Sequence, residues 1–195
     1  MGHSRGGWTT KSHALVDASG HLCSLVVTPG QAGENPRLLD VIDLAPHRVV
    51  RVVADKAYSH PSTRTELRRR RIKVTIPERS DQIARRKAKG SRGGRPPAFD
   101  PTIYKGRNVV ERFFNRIKEF RAIATRYDKL ARNYRAGLVL ASTIICLRDQ
   151  LRDTPYVEGA AGLGGRMTVQ HGTAPSITAF IDAHMPFLRT GRAAL

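Results

Sequence analysis

Polar and apolar positions separate cleanly between Tyr104 and Phe120, which predicts an amphipathic helix. At about 100° per residue, four polar residues share a sector of roughly 60°: Tyr104, Arg107, Glu111 and Lys118. The apolar residues form a separate stripe: Val109, Val110, Phe113, Phe114, Ile117 and Phe120. Asp100 and Pro101 suit the N-cap and the first helical position, and Gly106 predicts a kink. The helix can bury one edge and present a carboxylate between two cations on the other.

Apolar runs and turn residues predict the other elements of an α/β domain. Two strands are predicted over 11–17 and 21–28, joined at Ala18-Ser19-Gly20 as a hairpin. Further strands are predicted over 49–55 and 72–76, and further helices over 36–44, 61–71 and 132–151. Residues 78–99 are polar, basic and rich in Gly and Pro, so a basic loop or partly disordered insertion is predicted there.

Charge points to a polyanionic partner. The 195 residues are 40% hydrophobic, enough for a core, yet the net charge is +18 and the pI is near 11.1. Thirteen Lys or Arg against three Asp or Glu lie between Arg64 and Arg95. The predicted DNA-binding residues are Arg68, Arg69, Arg70, Arg71, Arg85, Arg86, Lys87, Arg92 and Arg95. The alternatives are a solvated helix face for the first four and disorder without contact for residues 89–96.

Other classes of function lack support in the sequence. Cys23 and Cys146 are far apart and belong to no Cys/His ligand set, so neither a disulfide framework nor a zinc site is indicated. The apolar run 136–147 is too short to span a bilayer, and the N-terminus has no apolar signal core. We therefore expect a cytoplasmic, nucleoid-associated protein with no membrane partner.

The Y-(2)-R-(3)-E-(6)-K spacing of residues 104–118 is similar to the signature of bacterial DDE transposases of the IS-four/IS-five superfamily. Further blocks resemble the IS-five group, in order: Thr28-Pro29-Gly30-Gln31, Ala54-Asp55-Lys56-Ala57-Tyr58, Ile76-Pro77-Glu78-Arg79, residues 121–129 and residues 133–136. The resemblance covers about residues 3–154. It implies a ribonuclease-H-like α/β domain with a central mixed sheet.

The resemblance also implies a chemistry. Asp55 and Glu111 match the second Asp and the Glu of the DDE triad, so both are predicted metal ligands and catalytic residues. Two Mg²⁺ ions, with Mn²⁺ as an alternative, stabilise attacking and leaving oxygens together in phosphoryl transfer. Arg107 and Lys118 would contact DNA phosphates or stabilise developing charge, and Tyr104 would lie near the scissile strand. By its position alone, Asp55 also suits an ordinary strand-end or helix-capping Asp.

The expected partner is double-stranded DNA, at the ends of a transposable element and at its target. A homodimer or a mixed assembly with full-length transposase is also expected. Two other classes stay open: a catalytically inert DNA-binding regulator derived from a transposase, and a general RNA-binding basic protein.

The first Asp of the triad has no counterpart in the matching blocks. In the family it lies on the first strand in an Asp-Ser-Thr context, upstream of the block that here begins at His3. Asp17 precedes the hairpin turn and is expected far from Asp55. Residues 1–154 are thus predicted to be a partial catalytic domain without its first strand, inactive alone and with an unpaired sheet position beside the strand of Asp55. Residues 155–195 are predicted to be a divergent, disordered tail.

Overall fold

The computed structural model describes residues 2–4, 7–125, 127–153 and 177–182. The strands in this part of the chain are β1 Gly2–Ser4, β2 Gly7–Val16, β3 Leu22–Pro29, β4 Val49–Ala54, β5 Lys73–Thr75 and β6 Ile177–Asp182. The helices are α1 Arg37–Asp43, α2 Pro61–Arg69, α3 Ser80–Ala88, α4 Pro101–Lys105, α5 Asn108–Lys118, α6 Arg121–Ala124 and α7 Ala131–Asp153. Short 3₁₀ turns cover Lys56–Tyr58 and Gly90–Gly93.

The strands join in one sheet that contains antiparallel and parallel pairs. β2 pairs antiparallel with β1, β3 and β6. β4 pairs parallel with β5 and with β6. The sheet order is β1-β2-β6-β4-β5, with β3 paired to β2. The predicted α/β class is confirmed.

Helices cover both faces of this sheet because alternate residues of a strand point to opposite sides. On one face, Ala14 of β2 and Val53 of β4 pack in a core with α5, α6 and α7. On the other face, Leu15 and Val52 pack in a second core with α1 and α2. The predicted apolar stripe faces the first core: Val109, Val110, Phe113, Phe114 and Ile117 are buried, and Phe120 is partly buried against it.

The hairpin turn between β2 and β3 uses Asp17. Its Oδ1 accepts hydrogen bonds from the backbone N–H groups of Ser19 and His21, both at 2.9 Å. Gly20 adopts φ +91°, a left-handed conformation that glycine tolerates best. The predicted hairpin is therefore confirmed, and the Asp17 carboxylate is committed to the turn.

The predicted signature helix is divided in two. Asp100 Oδ1 caps α4 by accepting hydrogen bonds from Thr102 N–H at 2.9 Å and Ile103 N–H at 3.1 Å. Gly106 and Arg107 separate α4 from α5, although both have right-handed helical dihedral angles. The capping prediction is confirmed, and the break falls where Gly106 predicted a kink.

Residues 78–99 require a correction, because the predicted loop contains α3. Gln82 Oε1 accepts a hydrogen bond from Arg79 N–H at 3.3 Å, and Gln82 Nε2 donates to Ser59 O at 3.1 Å. Arg86 pairs with Glu78 at 2.8 Å. These contacts hold α3 against the rest of the domain, although none of its own residues is buried. A hydrophobic pattern could not indicate it, because no apolar stripe is present.

β6 occupies the sheet position that was expected to be unpaired. It lies between β2 and β4, so β4 has a neighbour on each edge. Of the segment 155–195, for which a tail was predicted, the structure describes residues 177–182 alone, and these form β6. The rest of that prediction lies outside the described residues.

His13 makes stability depend on pH. It is fully buried, its Nε2 forms a 2.9 Å hydrogen bond with Thr28 Oγ1, and burial lowers its pKa from 6.5 to about 4. The folded state thus binds fewer protons than the unfolded state between these values. The free energy of unfolding should be highest above pH 6.5 and fall by up to about 3 kcal/mol as pH drops to 4.

Chemical denaturation of wild type, His13→Gln and His47→Gln at pH 7.5 and 4.5 measures this effect. We expect His13→Gln to lose part of the pH dependence, whereas His47, whose side chain is exposed, is the control. Identical pH slopes in all three proteins would show that His13 is not the group responsible.

Candidate active site and nucleic-acid interface

Asp55 follows the last residue of β4, where the buried strand reaches the edge of the sheet. It caps the 3₁₀ turn Lys56–Tyr58: its Oδ1 accepts a hydrogen bond from Lys56 N–H at 2.5 Å. Oδ2 accepts no hydrogen bond within the part of the chain that the structure describes. The capping role is therefore real, and it leaves one carboxylate oxygen available.

Glu111 lies in the first turn of α5 and is paired with Arg107. Arg107 Nη2 donates to Glu111 Oε1 at 2.5 Å, with side chains 20% and 47% exposed. Residues four apart are neighbours on a helix surface, which explains the pair. Glu111 Oε2 has no partner among the described residues, so this carboxylate also keeps an oxygen for a ligand.

Tyr104 packs beside Phe99 and Arg107. Its ring lies 5.2 Å from that of Phe99, and the Arg107 guanidinium carbon is 5.9 Å from its centroid. Burial raises the Tyr104 pKa above its ordinary value; the charges of Asp55 and Glu111 raise it further, and Arg107 opposes them. The Tyr104 phenol therefore stays protonated at neutral pH.

Lys118 lies apart from Tyr104, Arg107 and Glu111. It is exposed at the last position of α5, eleven residues after Arg107, or roughly 16 Å along the helix axis. It keeps its place on the polar stripe without contacting Tyr104 or Glu111.

The donor set suits a hard cation. Two carboxylates with one available oxygen each are what Mg²⁺ accepts, since this ion keeps several of its waters. No three His, Cys, Asp or Glu side chains within the described ranges are grouped so that they could hold a metal ion. An ion held by Asp55 and Glu111 would therefore take its other ligands from water or substrate.

Two adjoining grooves carry the positive charge. One, of about 450 Å³, begins at Ser59 and His60, directly after the Asp55 turn, and runs along α3 past Arg85 and Arg86. The second, of about 700 Å³, is lined by α2 and β5. Arg64 and Arg95 line both grooves. A continuous basic surface thus leads away from the candidate active site.

The nine predicted DNA-binding residues differ in availability. Glu66 accepts hydrogen bonds from Arg69 and Arg70, Asp43 pairs with Arg70, and Glu78 pairs with Arg86. Arg85 lies 3.7 Å from Asp81. The other five are exposed and have no acidic partner in the described ranges: Arg68, Arg71, Lys87, Arg92 and Arg95. These five keep their charge free for phosphates.

The sequence analysis overlooked Arg64. It is half-buried, and its Nη2 donates to Ile76 O at 2.8 Å while lining both grooves. Arg64 and Arg68 are four residues apart on α2, which places them on one helical face. Arg71 lies beyond the end of α2 and lines the larger groove with them. The four-residue spacing separates Arg68 from Arg69 and Arg70, and could have identified Arg64.

Arg116 and Asp149 tie the hairpin to the helices beside the site. Arg116 donates two hydrogen bonds to Asp149 at 2.7 and 2.6 Å, and His21 Nε2 lies 3.2 Å from Asp149 Oδ2. This network holds α5, which carries Glu111, against α7 and the β2–β3 turn.

Cys23 and Cys146 are free and half-buried, and burial raises the pKa of Cys23 to about 11, which disfavours a reactive thiolate. In the described part of the chain, every helix is either too short or too polar to cross a bilayer.

Comparison with known proteins identifies the family. Residues 2–146 match the transposase DDE domain family. The chain is 33% identical over 140 residues to a Brucella ovis protein named as a transposase for insertion sequence element IS6501, a match that covers 72% of this chain and 99% of the relative. No solved structure matches the chain. The family match spans the strand that ends before Asp55 and the helix that carries Glu111, and the chain therefore belongs to the transposase DDE domain family.

Proposed function

We propose that this chain acts in DNA transposition, by Mg²⁺-dependent phosphoryl transfer at the ends of an insertion sequence of the IS-five group. Asp55 and Glu111 are the proposed metal ligands. The observation that carries the proposal is that each keeps an oxygen without a hydrogen bond among the described residues, Asp55 at the end of β4 and Glu111 in the first turn of α5. The charges of both carboxylates also raise the Tyr104 pKa. Perturbed titratable groups around two such carboxylates are typical of catalytic sites.

A ribonuclease-H-like domain is the proposed fold. The sheet supports it, because antiparallel strands β3 and β2 are followed across the sheet by the parallel strands β6, β4 and β5. Helix α5, which carries Glu111, packs on one face of this sheet.

The residues around the carboxylates have separate roles in this proposal. Bound Mg²⁺ supplies charge stabilisation for the attacking and leaving oxygens of the phosphoryl group. Arg107 orients the Glu111 carboxylate through their 2.5 Å pair and holds positive charge beside it. The Tyr104 hydroxyl is protonated at neutral pH and is therefore a hydrogen-bond donor. A phosphate oxygen of the DNA strand is a suitable acceptor for that donor.

The DNA path follows the basic grooves, which should make binding strongly dependent on salt. Each neutralised phosphate contributes about −0.9 to the slope of log K against log salt. Changing Arg68, Lys73 and Arg95 to Gln should weaken binding of duplex DNA and reduce this slope by about 2–3 in filter binding. All three residues line the larger groove.

A matched variant controls for net charge. Arg132, Arg148 and Arg152 are exposed on α7, outside both grooves, and their change to Gln removes the same three charges. We expect that variant to keep nearly the wild-type slope. Equal losses of DNA affinity in the two triple variants would mean that binding depends on the overall charge of the protein and not on the grooves.

A second candidate is a catalytically inert DNA-binding regulator derived from a transposase. It is favoured by one observation: among the described side chains, no third potential ligand joins Asp55 and Glu111. Both candidates bind DNA, so nicking of labelled element-end DNA distinguishes them. A transposase nicks it with Mg²⁺ and stops when EDTA is added, whereas the regulator binds without cutting under either condition. Preference for RNA over duplex DNA would contradict both.

A further inference from the structure

The turn that follows Asp55 is anchored in the core by Tyr58. This tyrosine is the fully buried residue of the 3₁₀ turn Lys56–Tyr58, with 1% of its surface exposed. Its backbone N–H donates to Asp55 O at 3.0 Å, and Lys56 N–H donates to Asp55 Oδ1 at 2.5 Å. The position of the Asp55 carboxylate therefore depends on the position of this turn.

The Tyr58 side chain enters the sheet face opposite to the one that α5 covers. It packs in the core with Leu15 and Val52, beneath α1 and α2. Helix α5, which carries Glu111, packs in the core on the other face. Tyr58 is thus placed to act on Asp55 through the turn and not by touching a ligand of the site.

The Tyr58 hydroxyl meets the buried imidazole of His13. His13 Nδ1 lies 3.4 Å from Tyr58 Oη, and His13 Nε2 forms a 2.9 Å hydrogen bond with Thr28 Oγ1. A neutral imidazole has one donor and one acceptor nitrogen, and a hydroxyl can take either role. Because burial lowers the His13 pKa to about 4, the ring is neutral at pH 7 and can join both hydroxyls.

This polar network lies in otherwise apolar surroundings. Leu15, Leu38 and Val41 of the same core are fully buried. Buried polar groups lower stability unless they are hydrogen-bonded, and a satisfied network fixes one arrangement of its members. His13 and Thr28 belong to β2 and β3, which pair over most of their length. The network therefore ties the turn of Asp55 to a long hairpin.

We propose that His13 and Tyr58 are positioning residues for Asp55. Together with Thr28 they hold the turn Lys56–Tyr58, so that the Asp55 oxygen without a hydrogen bond is kept where a divalent metal ion can bind it. The inference rests on the proposed function, because it requires Asp55 to be a metal ligand. Neither His13 nor Tyr58 touches the metal or the DNA.

Mn²⁺ binding to the full chain tests the inference without relying on catalysis. Tyr58→Phe removes the hydroxyl and keeps the ring. Titration followed by the electron paramagnetic resonance signal of free Mn²⁺ should show affinity reduced about tenfold in Tyr58→Phe and in His13→Leu. Gln retains a donor and an acceptor, so His13→Gln should keep more of the affinity than His13→Leu.

Tyr134→Phe is the matched control. Tyr134 is 4% exposed, lies in the core that α5 shares, and has no proposed role at the site. It should bind Mn²⁺ like wild type, even where urea denaturation shows that the two Tyr→Phe variants lose similar stability. Duplex DNA affinity measured with EDTA should be that of wild type in every variant, because His13, Tyr58 and Tyr134 line neither basic groove.

The outcomes separate this inference from the proposed function. Wild-type Mn²⁺ affinity in Tyr58→Phe and His13→Leu, with binding lost in Asp55→Asn, would overturn the positioning inference and leave the proposed function standing. Equal losses in Tyr58→Phe and Tyr134→Phe would also overturn it, because the effect would then come from weakened packing. Wild-type affinity in both Asp55→Asn and Glu111→Gln would overturn the proposed metal site itself.

Discussion

The rate of Mg²⁺-dependent cleavage of element-end DNA is expected to fall at least about 10³-fold in each of the single variants Asp55→Asn and Glu111→Gln. This loss is equivalent to about 4 kcal/mol of transition-state stabilisation. Each substitution removes a negative charge while nearly preserving side-chain shape. Asp55 and Glu111 each have an oxygen that accepts no hydrogen bond in the described structure, and these oxygens are the ones assigned to the metal. Single-turnover nicking of labelled DNA measures the loss.

Glu119→Gln is the matched control for this prediction. Glu119 is an exposed carboxylate directly after α5, eight residues beyond Glu111, and it has no proposed role in the reaction. It should retain nearly full activity, and all three variants should bind duplex DNA as wild type does. Wild-type nicking rates in both Asp55→Asn and Glu111→Gln would exclude these carboxylates from the chemistry.

The largest effect on stability is expected from the core beneath α7. Leu138 is 2% exposed and packs with α5 and the sheet, so Leu138→Ala should lower the free energy of unfolding by about 2–5 kcal/mol through lost burial and a residual cavity. Leu140 lies two residues along the same helix and is 63% exposed. Leu140→Ala should change stability by less than about 0.5 kcal/mol.

Urea denaturation of the two leucine variants measures this difference. The substitution is the same in both variants and both positions lie on α7, so the two differ mainly in burial. A similar loss in both would mean that Leu140 is covered in solution, for example by a second copy of the chain, and that the buried face of α7 is not as described.

Local patterns predicted most of the fold. The polar and apolar stripes of residues 104–120 separate in the structure as they do in the sequence, and Gly20 marks the hairpin turn. These features depend on residues a few positions apart, so periodicity and turn chemistry are sufficient to identify them.

Contacts between distant residues account for what the sequence could not predict. Arg70 is paired with Asp43, which lies 27 residues earlier. The run of arginines at 68–71 therefore could not indicate by itself which of its charges are unpaired. α3 is held by docking contacts of Gln82 and Arg86 and has no apolar stripe. β6 pairs with strands more than 100 residues away, a register that only the assembled sheet defines.

The candidate site shows the same division. The spacing of Tyr104, Arg107 and Glu111 placed these three residues together, and the structure joins them through the Arg107–Glu111 pair and the Tyr104 ring. Lys118 satisfies the same angular pattern but lies about 16 Å along the axis from Arg107. Angular spacing therefore predicts a shared face and does not predict contact.

The most direct test of the central claim is a crystal structure of the chain with Mn²⁺, with the ion located by its anomalous signal. We predict a peak within about 2.5 Å of carboxylate oxygens of both Asp55 and Glu111. A peak elsewhere, or carboxylates more than about 10 Å apart and so beyond the reach of two ions with their waters, would contradict the proposed metal site.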